Sequence, residues 1–222
     1  MQEKTSPIII DYYSDVLCVW AWIAQPRLEE LCRQWGTRVL LRHHFVDIFG
    51  DCNRKILASW GQDDGFEKFA EHVEHSAEPF AHATVHPDIW RNTRPRSSAQ
   101  AHWLLRAVGL VAEEAALAAT ALQIRRAFFC DGNDVSDMDL LLQIAAGQGV
   151  DREAIARCFR DGSAMASLSS DLRTASESGV RGSPTWILNN GRQILYGNVG
   201  YRVLSANIEE LLKHPGEEAS WC

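Results

Sequence analysis

Residues 15–22 read DVLCVWAW, and the place of the lone thiol in that stretch decides how the rest of the chain is read. Upstream, PIIIDYYS (residues 7–14) carries the β-branched apolar run Ile8–Tyr12, the composition of a buried strand. Downstream, from Val19 to Trp35, the apolar residues Ile23, Leu28, Leu31 and Trp35 recur at helical intervals until Gly36 stops the helix. Cys18 therefore falls at a strand-to-helix junction, where unpaired amides and the helix dipole favour an anion. A thiol so placed is expected to have a lowered pKa and to react as thiolate. Redox sites of this kind usually carry two cysteines three residues apart, but here Ala21 fills the fourth position of the would-be C-x-x-C.

Working outward, Val39–Phe45 (VLLRHHF) reads as a second strand, making a βαβ unit that crosses over right-handed into a parallel sheet. From about Arg54 to Ser178 no strand is expected. SSAQAHWLLRAVGL, AEEAALAATALQIRRAFFC, SDMDLLLQIAAGQG and DREAIARCFRDG all read as helices, with Ser136 and Asp139 resembling a capping box and Asp151 an N-cap. The pattern then reverts. Thr185–Asn189 and Gln193–Tyr196 are strands joined by a tight NNG turn, and Tyr201–Lys213 is an amphipathic helix. The order β-α-β, helical block, β-β-α gives an α/β fold: a thioredoxin fold interrupted by an all-helical inserted domain. The expected boundaries are 7–53 for the first half of the thioredoxin-like domain, 54–178 for the helical insertion, 179–213 for the second half and 214–222 for a flexible tail.

The second half contains GVRGSPTWIL, with Pro184 directly before a strand. Proline mid-sheet loses a ladder hydrogen bond, so a cis Ser183–Pro184 bond in a tight turn is the expected arrangement. In thioredoxin folds that turn faces the helix-start thiol. Its backbone is then free to pair with a peptide or glutathione, and the Ser183 hydroxyl to bond a thiolate or substrate.

The 222 residues, 46% of them hydrophobic, suffice for a real core. The net charge of −7 and the lack of a basic cluster set nucleic acid aside. No signal-like start is seen, and no run approaches the roughly 18 apolar residues of a membrane span, so a cytoplasmic protein is expected. The six cysteines (18, 32, 52, 130, 158 and 222) have no paired spacing and are expected to be free thiols, most of them small buried hydrophobes.

DYYSDVLCVWAW, DGNDVSDMDLLLQIAAGQGVD and GVRGSPTWILNNG together resemble the cytosolic DsbA-like thioredoxin family, related to 2-hydroxychromene-2-carboxylate isomerases and kappa-class glutathione transferases. The resemblance covers about residues 7–213. It implies an active site at Cys18 with the helix-start motif Val19, Trp20 and Ala21, and a substrate-docking turn at Ser183 and Pro184. Dithiol members carry a second cysteine where this chain has Ala21. The glutathione-using isomerases usually carry serine where it has Cys18, and an Asp-Arg pair where it reads YGNVGYRVL, with Arg202 but no acidic partner. In RNTRPRSSAQAHW, ahead of a helix, Asn92 and Thr93 stand near the place where related isomerases contact substrate. A helix start there also suits an anion, although a capped, solvated loop explains the same residues.

The single thiol needs a partner to complete a redox cycle. Cys32, fourteen residues on, would lie roughly 21 Å away along a continuous helix, too far for a disulfide. Cys52 remains a candidate resolving thiol. His72, His75, His82 and His86 would share one helix face, but Pro79 interrupts that helix, so no metal site is expected. His43 and His44 point to opposite faces of their strand. Trp20, Trp22 and Trp186 would wall the site or fill the core. The favoured expectation is a thiol–disulfide oxidoreductase or isomerase acting through Cys18, with an external thiol resolving the mixed disulfide. No cofactor is permanently bound, and glutathione serves as a co-substrate. Partners are a thiol or disulfide substrate, small or protein, with no nucleic acid and no membrane; a homodimer is left open. Two alternatives stand beside it: a glutathione-dependent isomerase or transferase acting on a small aromatic compound, and a non-catalytic binding module.

Overall fold

The computed structural model describes residues 7–214; residues 215–222 of the expected tail, Cys222 included, lie outside the described residues. Four strands, β1 (Ile8–Ser14), β2 (Val39–Phe45), β3 (Thr185–Leu188) and β4 (Gln193–Tyr196), form one sheet in the order β2-β1-β3-β4. β1 runs parallel to β2, with Ile8 opposite Val39, and antiparallel to β3, with Tyr12 opposite Trp186. Both edges of β1 are thus filled by segments from the two ends of the chain. β3 and β4 are an antiparallel hairpin, turned through Asn189 and Asn190 at φ 50° and 58°, a region that asparagine tolerates better than most residues. This is a thioredoxin-like fold with a helical block between its halves.

The expected helix from Val19 to Trp35 is two helices. α1 (Val19–Ile23) ends at Ala24, and α2 (Gln25–Trp35) starts with Pro26 in its first turn. Proline has no N–H to donate and favours a helix start, so the chain restarts there rather than continuing. The block between the halves comprises α3 (Cys52–Trp60), α4 (Gly65–Ala77), α5 (Ala99–Val111), α6 (Glu114–Phe129), α7 (Met138–Gly147), α8 (Arg152–Arg160) and α9 (Ser163–Glu177); α10 (Tyr201–Lys213) closes the chain. Asp151 caps α8 by accepting the Glu153 N–H at 3.0 Å. The cap of α7 is Asp137, not Ser136. Asp137 accepts the Asp139 N–H at 2.9 Å, while Ser136 donates to Asp134 at 2.6 Å, because the carboxylate is the stronger acceptor and lies one residue nearer the helix.

The interior falls into separate apolar clusters. Ile10, Tyr12, Leu28, Leu31, Trp186, Leu204 and Leu211 pack α2 and α10 on one face of the sheet. The larger cluster holds the helical block together through Leu104, Ile124, Phe128 and Phe129, and it takes in Val16 to Ile23 as well. The Cys18 segment therefore leaves the sheet at Ser14 and ends packed into the helical core.

A line of polar contacts between charged and titratable side chains stitches sheet to helices. Arg42 on β2 grips Asp11 on β1 with both nitrogens, at 2.7 and 2.8 Å. His44 reaches Asp11 at 2.8 Å through Nε2 and Asp171 on α9 at 2.9 Å through Nδ1. Asp171 also accepts the Phe45 N–H at 3.0 Å and lies 3.4 Å from Arg106 on α5. Next to it, His43 meets Glu114 on α6 at 2.6 Å. These contacts fix α9, which leads directly into the turn before β3.

Candidate active site

Cys18 is the N-cap of α1, 6% exposed, and its thiol donates to the Ser183 carbonyl oxygen at 3.1 Å. The Ser183–Pro184 peptide is cis. The Ser183 hydroxyl oxygen accepts the Asp15 N–H at 2.9 Å, so the turn is tied to the thiol's own loop. Val19 and Trp20 line the same cavity as Cys18, while Ala21 is fully buried beneath them.

The expected low thiol pKa is not what this setting gives. Burial is the largest influence and pushes Cys18 above an ordinary thiol. The Ser183 side chain and the amides of Ala21 and Trp20 pull it down, and the Asp15 charge pushes it up again. The helix-start amides act in the expected direction, but α1 is only 5 residues long, and desolvation outweighs it.

Asp15 organises the floor of the site and was not singled out from the sequence. Its carboxylate accepts the Leu17 N–H at 2.9 Å, the Phe49 N–H at 2.8 Å and the Ser98 hydroxyl at 2.8 Å. It thereby joins the thiol loop, the approach to α3 and the start of α5. Burial pushes its pKa up to about 6 against those bonds. His102 stands 3.7 Å away, yet burial drives its pKa down to about 3 and its Nε2 accepts the Val16 N–H at 3.2 Å. His102 is therefore neutral, and the contact with Asp15 is not an ion pair. The cation of this floor is Arg125 on α6, fully buried, which donates to Ser14 Oγ at 2.8 Å and whose Nε has no partner.

Beside Cys18 opens a cavity of about 330 Å³ lined by Trp20, Phe49, Trp60, Phe69 and His72, with Lys55, Arg181 and Ser183 among its other walls. α1, the segment between β2 and α3, α3, α4 and the turn after α9 supply these residues. Trp60 and His72 meet at a tilt with centroids 4.9 Å apart, and Lys55 lies over the Phe49 ring at 5.2 Å.

Other singled-out residues lie elsewhere. Asn92 bonds Asp88 at 2.7 Å, and the Thr93 hydroxyl donates to the Gly132 carbonyl at 2.7 Å; neither lines the cavity. The start of α5 is sealed by Ser98 bonding Asp15. Trp22 stacks on Phe129 and donates to the Thr84 carbonyl at 3.1 Å, and Trp186 packs on Tyr12, so both are core. α4 ends at Ala77, ahead of Pro79. His82 bonds the Ile23 carbonyl oxygen and His86 takes the Asp88 N–H, which disperses the histidines. Among the described residues no group of three or more His, Cys, Asp and Glu is placed to hold a metal, and no helix is long and apolar enough to cross a membrane. The described cysteines are all free. Cys52, the first residue of α3, is buried and donates to the Phe49 carbonyl at 3.4 Å; burial pushes its thiol up to about 12.

A family model described as the DSBA-like thioredoxin domain matches residues 9–209. Comparison with curated protein sequences finds no match. Among solved structures, a protein from Nitrosomonas europaea described as a disulfide isomerase superposes with a TM-score of 0.79 at 14% identity, covering 95% of this chain and 100% of that one. The cytosolic disulfide reductase DsbM from Pseudomonas aeruginosa superposes at 0.69 and 22% identity, covering 92% and 98%; a structure of that protein with GSH gives 0.67. A 2-hydroxychromene-2-carboxylate isomerase superposes at 0.65 and 19% identity, covering 96% and 100%. At such identities the likeness is one of fold.

Proposed function

Because the chain belongs to the family of DSBA-like thioredoxin domains, we propose that it is an enzyme of thiol–disulfide exchange that works through Cys18 alone. The observation that carries this reading is the pairing of Cys18 with the cis-proline turn at 3.1 Å, at a position where Ala21 leaves no second thiol. Cys52 does not substitute for it: it is fully buried with its thiol on the Phe49 carbonyl oxygen, whereas Cys18 opens onto the cavity.

The chemistry follows from one thiol. Cys18 gives up its proton and attacks one sulfur of a disulfide. The S–S bond breaks, one half stays on Cys18 as a mixed disulfide and the other leaves as thiolate. A second thiol from solution then attacks that mixed disulfide and restores Cys18. A structure of the similar reductase DsbM contains GSH, and glutathione is the external thiol we assign to this step. The free, exposed Cys32 suits a reducing compartment, and we place the cycle in the cytoplasm.

The test is incubation of the reduced protein with oxidised glutathione, followed by peptide mass spectrometry. A glutathione adduct on Cys18, released by added thiol and absent in Cys18→Ser, is the expected result. Glutathione that binds reversibly, leaves no adduct and binds Cys18→Ser equally well would sink the proposal and favour a glutathione-dependent isomerase instead.

A further inference from the structure

The cavity beside Cys18 carries an unusual charge for this molecule. The chain has more acids than bases, with a net charge of −7, yet Lys55 and Arg181 line the cavity and no Asp or Glu does; His72, its pKa lowered by burial, adds no charge. Lys55 and Arg181 are both exposed, and neither makes an ion pair among the described residues. Two cations without counter-charges at the mouth of a cleft attract an anion. Behind them the walls are rings: Trp20, Phe49, Trp60 and Phe69. Such faces favour a flat apolar body and stack against an aromatic one. The cavity's volume of about 330 Å³ is within the range of small-molecule sites, and the thiol at its side is 6% exposed, out of reach of a disulfide on a rigid protein surface.

The geometry points to a small disulfide as the substrate, one whose sulfur bears an aromatic arm ending in a carboxylate. This assignment rests on the single-thiol reading above. The arm enters between Lys55 and Arg181, the ring lies among Trp20, Phe49, Trp60 and Phe69, and its sulfur meets Cys18. Attack by the Cys18 thiolate breaks the S–S bond. The arm stays on Cys18 inside the cavity and the other arylthiolate departs; a low-molecular-weight thiolate then attacks the arm's sulfur, leaves joined to it as a disulfide and restores the Cys18 thiolate.

Four disulfides separate the contributions of ring and charge: 5,5′-dithiobis(2-nitrobenzoate), aromatic and anionic; 2,2′-dithiodipyridine, aromatic and neutral; 3,3′-dithiodipropionate, aliphatic and anionic; and cystamine, aliphatic and cationic. The rate of adduct formation at Cys18, located by peptide mass spectrometry, is divided by each reagent's rate with free mercaptoethanol at the same pH and salt. The aromatic anion is expected to lead and cystamine to trail by about tenfold or more. In Lys55→Glu and in Arg181→Glu, the ratio of the nitrobenzoate rate to the dithiodipyridine rate is expected to fall about tenfold, and added salt to shrink the wild-type ratio. Cystamine reacting as fast as the aromatic anion, or a ratio unmoved in both variants, overturns the substrate class while leaving single-thiol exchange intact. No adduct at Cys18 with any of the four overturns single-thiol exchange itself, and the substrate class with it.

Discussion

The thiol of Cys18 and the carbonyl oxygen of Ser183 meet at 3.1 Å across 165 residues of chain. In this resting arrangement the proton is held on sulfur, and burial pushes the thiol above its ordinary range. The rate of Cys18 alkylation by iodoacetamide is therefore expected to rise with a midpoint above the roughly 8.5 of a free cysteine, with the modified peptide identified at each pH. In Ser183→Ala the midpoint moves further up, because the lost side chain favours the thiolate, and stability falls by about 1 kcal/mol as the Asp15 N–H loses its acceptor. A midpoint below neutrality would contradict this account of the site.

Asp15 and Arg125 set a pH dependence of their own. Asp15 is raised from 3.8 to about 6 by burial, so the folded chain holds this proton more tightly than the unfolded chain. Its contribution to stability is present below pH 3.8 and is lost as pH rises through about 6, by an amount of order 3 kcal/mol. Arg125 holds the Asp15 pKa down. Arg125→Met should therefore cost more stability at pH 7.5 than at pH 5, where Asp15 is protonated. Urea midpoints at the two values give the answer, and equal losses at both would refute the coupling.

His44 titrates in a separate window. Neutral imidazole has one N–H, yet both ring nitrogens face carboxylate oxygens, of Asp11 and Asp171. Burial alone would lower its pKa, but those two bonds outweigh burial and raise it above 6.5. The stability it brings is present in full below pH 6.5 and lost as pH climbs through the raised value. The wild-type urea midpoint should fall on the alkaline side of neutrality. His44→Gln should lack that fall and should be less stable at pH 6.5 by about 2 kcal/mol. NMR titration of the ring provides a direct check.

Gly132 is a backbone position that the fold cannot trade. Its φ is +69°, and a Cβ there would sit 2.6 Å from His86 Nδ1. Its carbonyl also holds the Thr93 hydroxyl. Gly132→Ala is expected to cost about 1–3 kcal/mol, read as a shifted urea midpoint, with the Cys18 alkylation profile unchanged because the loop lies away from the cavity.

The fold was legible because its signals are local. The β-branched run at Ile8, the Asn-Asn-Gly turn and the proline ahead of Thr185 each declare a strand, a hairpin or a turn from a few neighbouring residues. Pro26 also announced the break between α1 and α2, though the apolar spacing drowned it. The floor of the site was less legible. Asp15 meets Ser98, Ser14 meets Arg125 and His44 meets Asp171 over separations of 83, 111 and 127 residues, and no periodicity encodes such pairings. Lys55 and Arg181 are 126 residues apart and carry no local signal; only folding brings them to one cavity. The expected low thiol pKa failed for a related reason: a helix start is visible in sequence, but the depth to which the helical block covers it is not.

One feature of the sheet bears on how the protein is made. β1 is the second strand in the order β2-β1-β3-β4, with neighbours on both sides, and one of these is β3, which starts at Thr185. At ribosomal rates of about 5–20 residues per second, the stretch from Ser14 to Thr185 takes roughly 10–35 seconds to synthesise. Throughout that interval one flank of β1 has no native strand to pair with, and exposed strand edges recruit other chains. The yield on rapid synthesis is therefore expected to rise with chaperone supply, more than the folded stability alone suggests.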